Sequence, residues 1–500
     1  MSRELIFPHA YRNPQLNYRP LNLSYFSPVR KLLLIFCFFA LISEIHSQSL
    51  KQWEALGDEA MENNDPASAC VAFYEAFSLD STIFDLTVKY AETLFLTKDY
   101  KLAEYYYGKA YEKDRGRLYA EGQFHLAAMQ KYNGNYPQAL RNYKKYSTKV
   151  KSDKTGYAYQ KCIKEIESCT WAINARRNAT GIEIHNLGDG VNTTESEFAP
   201  FPFSDSLLFY TSYDHPNSSN GFKIFRASIE DSLFYKDKGF LSALNEDGSS
   251  NGNLSFSSDK SRAYFTRCNE SGCKIYECDI VNGTLSPPLP LPTLSCDECH
   301  NTMPTTGVYK GVEYLYYASD RPGTRGQLDI WWSERNPDGS YGPPVNAGDN
   351  VNSPGNELSP FYLYDRLYFS SDWHIGFGGL DICYSKGYPR SFDIPENMGY
   401  PLNSSLNDLY FVYDGEAKQG FFASNRPGSQ SGPENTCCND IYRIAYSDSM
   451  ETVEPDPVYS SLEELNSYLP LTLYFHNDEP NPNSRDTTTQ LSYLEAYDSY

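Results

Sequence analysis

The residues best placed to do chemistry stand together at Cys296-Asp-Glu-Cys299-His300. Two cysteines separated by two residues and followed by histidine match the attachment pattern of c-type haem. There the thiols form thioethers to the vinyl groups and the histidine ligates iron. The same thiols and imidazole, joined by Cys278, would also suit zinc. A disulfide between Cys296 and Cys299, or two free thiols, is the competing structural reading, and absence of any cofactor is the expectation carried forward. Cys268 and Cys273 flank a four-residue turn and form a second candidate disulfide. The carboxylates Asp320 and Asp329, and again Asp372 and Asp381, stand nine residues apart. Calcium or catalysis asks for a more compact set, so these side chains are expected to accept loop N–H bonds and to pair with Arg321. His185, His215 and His374 are expected to lie alone on loops, and no α/β hydrolase-type domain follows the propeller. The chain is therefore expected not to be an enzyme.

These residues belong to a repeat, and the repeat names the elements that position them. Five times between Asp189 and Ile444 a loop rich in Asn and Gly leads into an apolar strand, an aromatic strand, a glycine-rich turn and a closing strand. The third block runs from Leu315 through Asp320-Arg321-Pro322-Gly323 to Asp329-Ile-Trp-Trp332. The fourth runs from Leu367 through Asp372 to Asp381-Ile-Cys-Tyr384. The fifth has Asn425-Arg426-Pro-Gly428, an inserted loop with Cys437 and Cys438, and Asp440-Ile-Tyr-Arg443. Weaker copies centre on Phe209 to Ser212 and Tyr264 to Arg267. The closing residues Ile224, Ile275, Ile330, Ile382 and Ile441 stand 51, 55, 52 and 59 apart, the length of one four-stranded blade. Residues 181–447 are thus expected to form a β-propeller of five blades, or of six if the strand around Ile182 to Leu187 joins the last strand in a further blade.

Residues 48–177 change to a helical period. Ala69, Ala103 and Ala139 recur 34 and 36 apart, each shortly after a turn and four residues before an aromatic, Phe73, Tyr107 or Tyr143. Small residues at that spacing let paired helices approach closely, so an α-solenoid similar to tetratricopeptide repeats is expected. The run Tyr105-Tyr106-Tyr107 is the candidate partner-docking patch. Charge separates the two parts. Residues 51–177 carry 19 Lys and Arg against 17 Asp and Glu, whereas residues 178–500 carry 19 against 45. So acidic a propeller excludes nucleic acid as its partner.

At the amino terminus Arg30-Lys31 precede the apolar run Leu32 to Ile42, and small Ser47 follows. Residues 1–47 read as a secretory signal with a long leading region, too short in its apolar part to span a membrane. Residues 448–468 read as a linker, and Leu471 to Asp478, within 469–500, as a first strand of another domain. Signal, tetratricopeptide-like arm, propeller with Ser-Asp-Arg-Pro-Gly turns and this last segment, in that order, resemble OmpA-family envelope proteins of the Bacteroidota with TolB-like or WD-like propellers. The resemblance implies a protein exported to the periplasm and associated with the outer membrane. It also implies a scaffold that binds envelope proteins, as in the periplasmic tethering component of type IX secretion. The segment 469–500 is expected to be an incomplete OmpA-like domain, without the residues that would hold peptidoglycan in that family. The expected function is a non-enzymatic scaffold, with a c-type haem protein and a carbohydrate-binding propeller as alternatives.

Overall fold

The computed structural model describes residues 49–213, 221–230, 233–237, 244–246, 248–294, 296, 299–415, 419–430 and 438–446. The expected signal segment, the linker, the OmpA-like segment and Cys437 lie outside these residues.

Seven helices come first: α1 (Leu50–Glu62), α2 (Pro66–Leu79), α3 (Phe84–Leu96), α4 (Tyr100–Asp114), α5 (Gly122–Tyr132), α6 (Tyr136–Val150) and α7 (Tyr157–Ala175). Their starts follow from local chemistry. A left-handed residue, Asn64, Lys98 or Gly134, reverses the chain before α2, α4 and α6. Asp65 and Asp99 then cap the first turns of α2 and α4 by accepting from the Ser68 and Leu102 amides at 3.1 and 3.0 Å. Ala69, Ala103 and Ala139 are fully buried, as are the aromatics Phe73, Tyr107 and Tyr143 that follow them. Among the described residues no helix is long and apolar enough to cross a membrane.

The rest is a five-bladed β-propeller of antiparallel sheets. The innermost strands are Glu197–Ser204, Ser250–Phe256, Asn301–Tyr309, Glu357–Leu363 and Asp408–Asp414. Aromatic and β-branched residues fill the spaces between blades, as where the Tyr316 and Tyr362 rings stack 5.2 Å apart. Among the described residues no sixth blade forms. Ile182–Asn186 is instead the outer strand of the fifth blade, paired with Asp440–Tyr446 from Ile182↔Tyr446 to Asn186↔Tyr442. A strand from the start of the propeller thereby closes a sheet made at its end, and the ring has no free edge at the join.

Three blade junctions share a motif: Asn186-Leu-Gly188-Asp-Gly-Val-Asn192, Asn346-Ala-Gly348-Asp-Asn-Val-Asn352 and Asn397-Met-Gly399-Tyr-Pro-Leu-Asn403. In each, the second Asn clamps the closing Ile of a finished blade. Asn352 accepts from the Ile330 amide and donates to its carbonyl, both at 2.8 Å. Asn403 does the same to Ile382, and Asn192 to Ile441. The glycines, at φ +67°, +92° and +78°, turn the chain so that both Asn side chains face the strand. The junction before the third blade lacks the motif and carries Cys296 and Cys299 instead.

The helices dock on the fourth and fifth blades. Phe377 packs among Tyr136 and Trp171, the latter ring 4.7 Å away. Gly379 allows a helix to approach, since a Cβ there would stand 2.8 Å from the Tyr132 ring, while at Gly378 a Cβ would stand 2.1 Å from the Leu406 carbonyl of the next blade's loop. A buried ion triad stiffens the helical side: Glu165 bridges Lys131 at 2.7 Å and Lys161 at 2.8 Å. Burial opposes ionisation of Glu165, but the two ammonium groups hold its pKa down to about 2.

Candidate ligand-binding site on the propeller axis

The polar residues singled out in the sequence are committed to the blade junctions. Asp320 accepts from the His300 amide at 2.6 Å and its ring Nδ1 at 2.8 Å. Asp372 accepts from the Asn356 amide, and Asn425 from the Asn407 amide, each at 2.9 Å, at the equivalent place in the next two blades. Arg321 donates to Asn301 Oδ1 and the Leu294 carbonyl, and Arg426 to Asp408 and the Pro401 and Leu402 carbonyls. Asp329 and Asp381 accept the amides of the turns before them, 325–326 and 377–378, and Asp440 the Gln430 amide. Pro322 and Gly323, at φ +103°, shape the turn over the Trp331 ring. Each of these groups holds one piece of loop to the next, and none faces the axis.

Cys268 and Cys273 are joined as a disulfide across their hairpin, and so are Cys296 and Cys299. Thioether bonds to a haem, or thiolate bonds to zinc, would first require the second disulfide to open, and His300 Nδ1 is already engaged with Asp320. Among the described residues no group of three or more His, Cys, Asp or Glu could hold a metal ion. The tyrosine run divides: Tyr107 is buried, Tyr106 packs edge-on against Tyr90 and Phe77, and Tyr105 is 53% exposed with Lys109 over its ring.

The concave site lies elsewhere, on the axis where the five innermost strands converge. Each strand carries a bulge at an equivalent position, and the bulged residue is a non-glycine in the left-handed conformation: Ala199, Asn253, Met303, Ser359 and Tyr410, at φ between +49° and +58°. Such backbone costs about 1–3 kcal/mol per residue and persists only where surroundings enforce it. Here the neighbouring blade does so. The Asn253 amide donates to Thr211 Oγ1 at 3.0 Å, the Met303 amide to Thr266 Oγ1 at 3.1 Å, and the Tyr410 amide to Ser359 Oγ at 3.0 Å. The bulges thus form a belt that ties blade to blade and turns the chain away from the axis.

Below the belt the strands surround a vestibule of about 360 Å³ counted to its open mouth. Its enclosed part is about 40 Å³, room for roughly three waters. Phe201, Phe411, Tyr410, Pro200, Pro304 and Pro360 supply apolar wall, and Asn253, Ser255, Thr305 and Ser359 supply polar groups. None of the fourteen lining residues is charged, although the whole chain has a formal net charge of −21. Asn253 Oδ1 and Ser255 Oγ are buried and have no hydrogen-bond partner. On the far side of the belt Phe198, Phe222, Leu328, Leu358, Leu380 and Leu409 close the axis with apolar packing.

Acidic groups stand near the axis but turn from it. Glu197 accepts from Thr193 and Ser212, and Glu357 from Ser353 and Ser371, which are loop and second-strand groups of the same blades. Burial pushes their pKa up to about 7 and about 8. The sequence reading missed the vestibule. A signal was present in Ala199-Pro200, Met303-Pro304 and Ser359-Pro360, because proline inside a strand pattern marks a bulge.

No family model matches the chain, and no curated protein matches it. Solved structures do. A thermostable family-43 glycoside hydrolase matches with TM-score 0.35 and 14% identity, over 54% of this chain and 97% of that one. An α-L-arabinofuranosidase from Clostridium thermocellum matches with TM-score 0.33 and 16% identity, over 50% and 88%. An endo-arabinase from Bacteroides thetaiotaomicron matches with TM-score 0.33 and 13% identity, over 53% and 98%. So distant a likeness carries no argument about what this chain does. The three structures named are glycoside hydrolases, and against them the readings of a non-enzymatic scaffold and of a chain that is not an enzyme are withdrawn.

Proposed function

We propose that this is a carbohydrate-active propeller that takes the end of a neutral glycan into the axial vestibule. The observation that carries the reading is the pairing of an uncharged, aromatic and proline-lined wall with the polar residues Asn253, Ser255, Thr305 and Ser359. A sugar ring has apolar C–H faces and a girdle of hydroxyl groups. The first would lie against the proline and Phe201 side of the wall, and the second would hydrogen-bond with its polar residues. An anionic ligand would find no cation in the lining, and a cation no carboxylate. With so small an enclosed part, a hydroxyl-bearing edge enters and the remainder of the ring stays in the mouth.

Titration calorimetry of the full chain with neutral xylo-, arabino-, cello- and chito-oligosaccharides tests this. Binding by at least one series is expected, weakened about tenfold or more by Phe201→Ala and also weakened by Ser255→Ala, whose hydroxyl supports nothing in the fold. A folded protein that binds none of the four sinks the reading. Chromatography of the same mixtures for shortened products decides whether the site also cleaves.

Two further parts of the reading rest on sequence. The apolar run Leu32 to Ile42 supports export, in keeping with a Bacteroidota-type envelope protein of the OmpA family. The buried Ala69, Ala103 and Ala139 at successive helix pairs support a tetratricopeptide-like arrangement of the arm.

A further inference from the structure

We infer that the glycan is a chain several residues long, and that Tyr388, backed by Tyr309, forms a second sugar subsite on the rim of the vestibule. The inference rests on the reading of the vestibule as a neutral-glycan site and adds to it the length and direction of the ligand. Met303, Pro304 and Thr305 line the vestibule, and the same strand continues to its end at Tyr309. Four residues of extended chain separate Thr305 from Tyr309, about 13 Å, or roughly three units of a pyranose chain. There the Tyr309 ring lies parallel to Tyr388, with centroids 4.9 Å apart and an interplanar angle of 4°. Tyr388 is 43% exposed. Lys310 sits over Tyr309 at 5.2 Å, and among the described residues no cation lies over Tyr388.

The platform is rigid. One ring is clamped behind the other, and Gly387, at φ +130°, packs where a Cβ would stand 2.1 Å from the Ser391 carbonyl. A ring held in place loses little freedom when a ligand stacks on it, which makes it a better platform than a lone surface tyrosine. The adjoining hairpin shows a second departure from ordinary turn chemistry. Tyr364 and Asp365 both hold left-handed backbone, at φ +50° and +53°, where Asn-Gly is favoured. A bulky ring is thereby kept at the hairpin tip, 40% exposed, at the end of the strand whose Ser359 and Pro360 line the vestibule. Both exposed tyrosines belong to the fourth blade, with Tyr388 against Tyr309 of the third, and a chain leaving the vestibule on that side would meet the Tyr388 face.

The test is the length dependence of binding, measured by calorimetry on the full chain with xylo-oligosaccharides of two to six units, or with whichever neutral series binds. For the unaltered protein the affinity is expected to rise about three- to tenfold between the disaccharide and the tetra- or pentasaccharide and then level off. Tyr388→Ala should abolish that gain and leave the disaccharide affinity unchanged. Tyr388→Phe should keep it, because stacking needs the ring and not the hydroxyl. Tyr235→Ala, on the outer strand of the first blade, should change nothing. Equal affinity for all lengths, or a gain that survives Tyr388→Ala, overturns the rim subsite while the vestibule reading stands. Loss of all binding in the unaltered protein overturns both.

Discussion

The clamp by Asn352 allows a sharp test of how the ring is held together. Its fully buried side chain accepts from the Ile330 amide at 2.8 Å and donates to the Ile330 carbonyl and to Asn346 Oδ1, each at 2.8 Å. In Asn352→Ala two of the three partners keep another bond. The Ile330 carbonyl still receives the Ala347 amide at 3.0 Å, and Asn346 Oδ1 the Gly348 amide at 2.9 Å. The Ile330 amide keeps nothing. One orphaned buried donor together with two weakened acceptors amounts to about 2–4 kcal/mol. For a domain of this size that corresponds to a fall in Tm of about 5–15 °C. Differential scanning calorimetry would read it directly, and Asn403→Ala, which breaks the same clamp on Ile382, should fall in the same range. Asn352→Asp should be at least as damaging near neutral pH, since it sets a carboxylate against a carbonyl. A shift under about 2 °C in both alanine variants would refute the view that these amides hold the blade junctions.

The remaining expectations concern buried charge. Glu357 has a folded pKa of about 8 against an ordinary value of 4.5, raised by burial, so the folded state binds its proton more tightly than the unfolded one. Stability from this group is therefore greatest in acid and declines as pH rises from about 4.5 to about 8, by up to about 1.4 kcal/mol per pH unit. Urea midpoints at pH 5 and pH 8.5 should differ in that direction, and Glu357→Gln should reduce the difference; an unchanged difference would count against the assignment. In the helices, Glu165→Ala leaves Lys131 and Lys161 buried and unpaired and should destabilise by about 3–5 kcal/mol, whereas its exposed neighbour Glu167→Ala should cost less than about 1 kcal/mol.

Much of the architecture can be read from residue order, because it depends on local chemistry. The 51- to 59-residue spacing of the closing isoleucines marks the five blades, and the recurrence of Ala69, Ala103 and Ala139 marks the helix pairs. Cys268 and Cys273, five residues apart across a hairpin, pair as their spacing suggests. Periodicity also identifies Asp320, Arg321, Asp372 and Arg426 as repeated polar features, but their partners are junction residues that belong to other strands. What only the tertiary structure decides is whatever requires distant segments to meet. The strand Ile182–Asn186 completes the fifth blade by pairing with residues some 250 positions later, so its neighbours in sequence hold no trace of that choice. The docking of the helices beside Phe377 needs Gly379, whose missing side chain leaves room for the Tyr132 ring of α5 and matters only once that helix arrives. The vestibule is made by two or three residues from each of five strands, all turned at a bulge. A sequence specifies hydrogen bonding and sidedness along each strand, whereas a cavity on the axis exists only where five strands converge and leave a space unfilled.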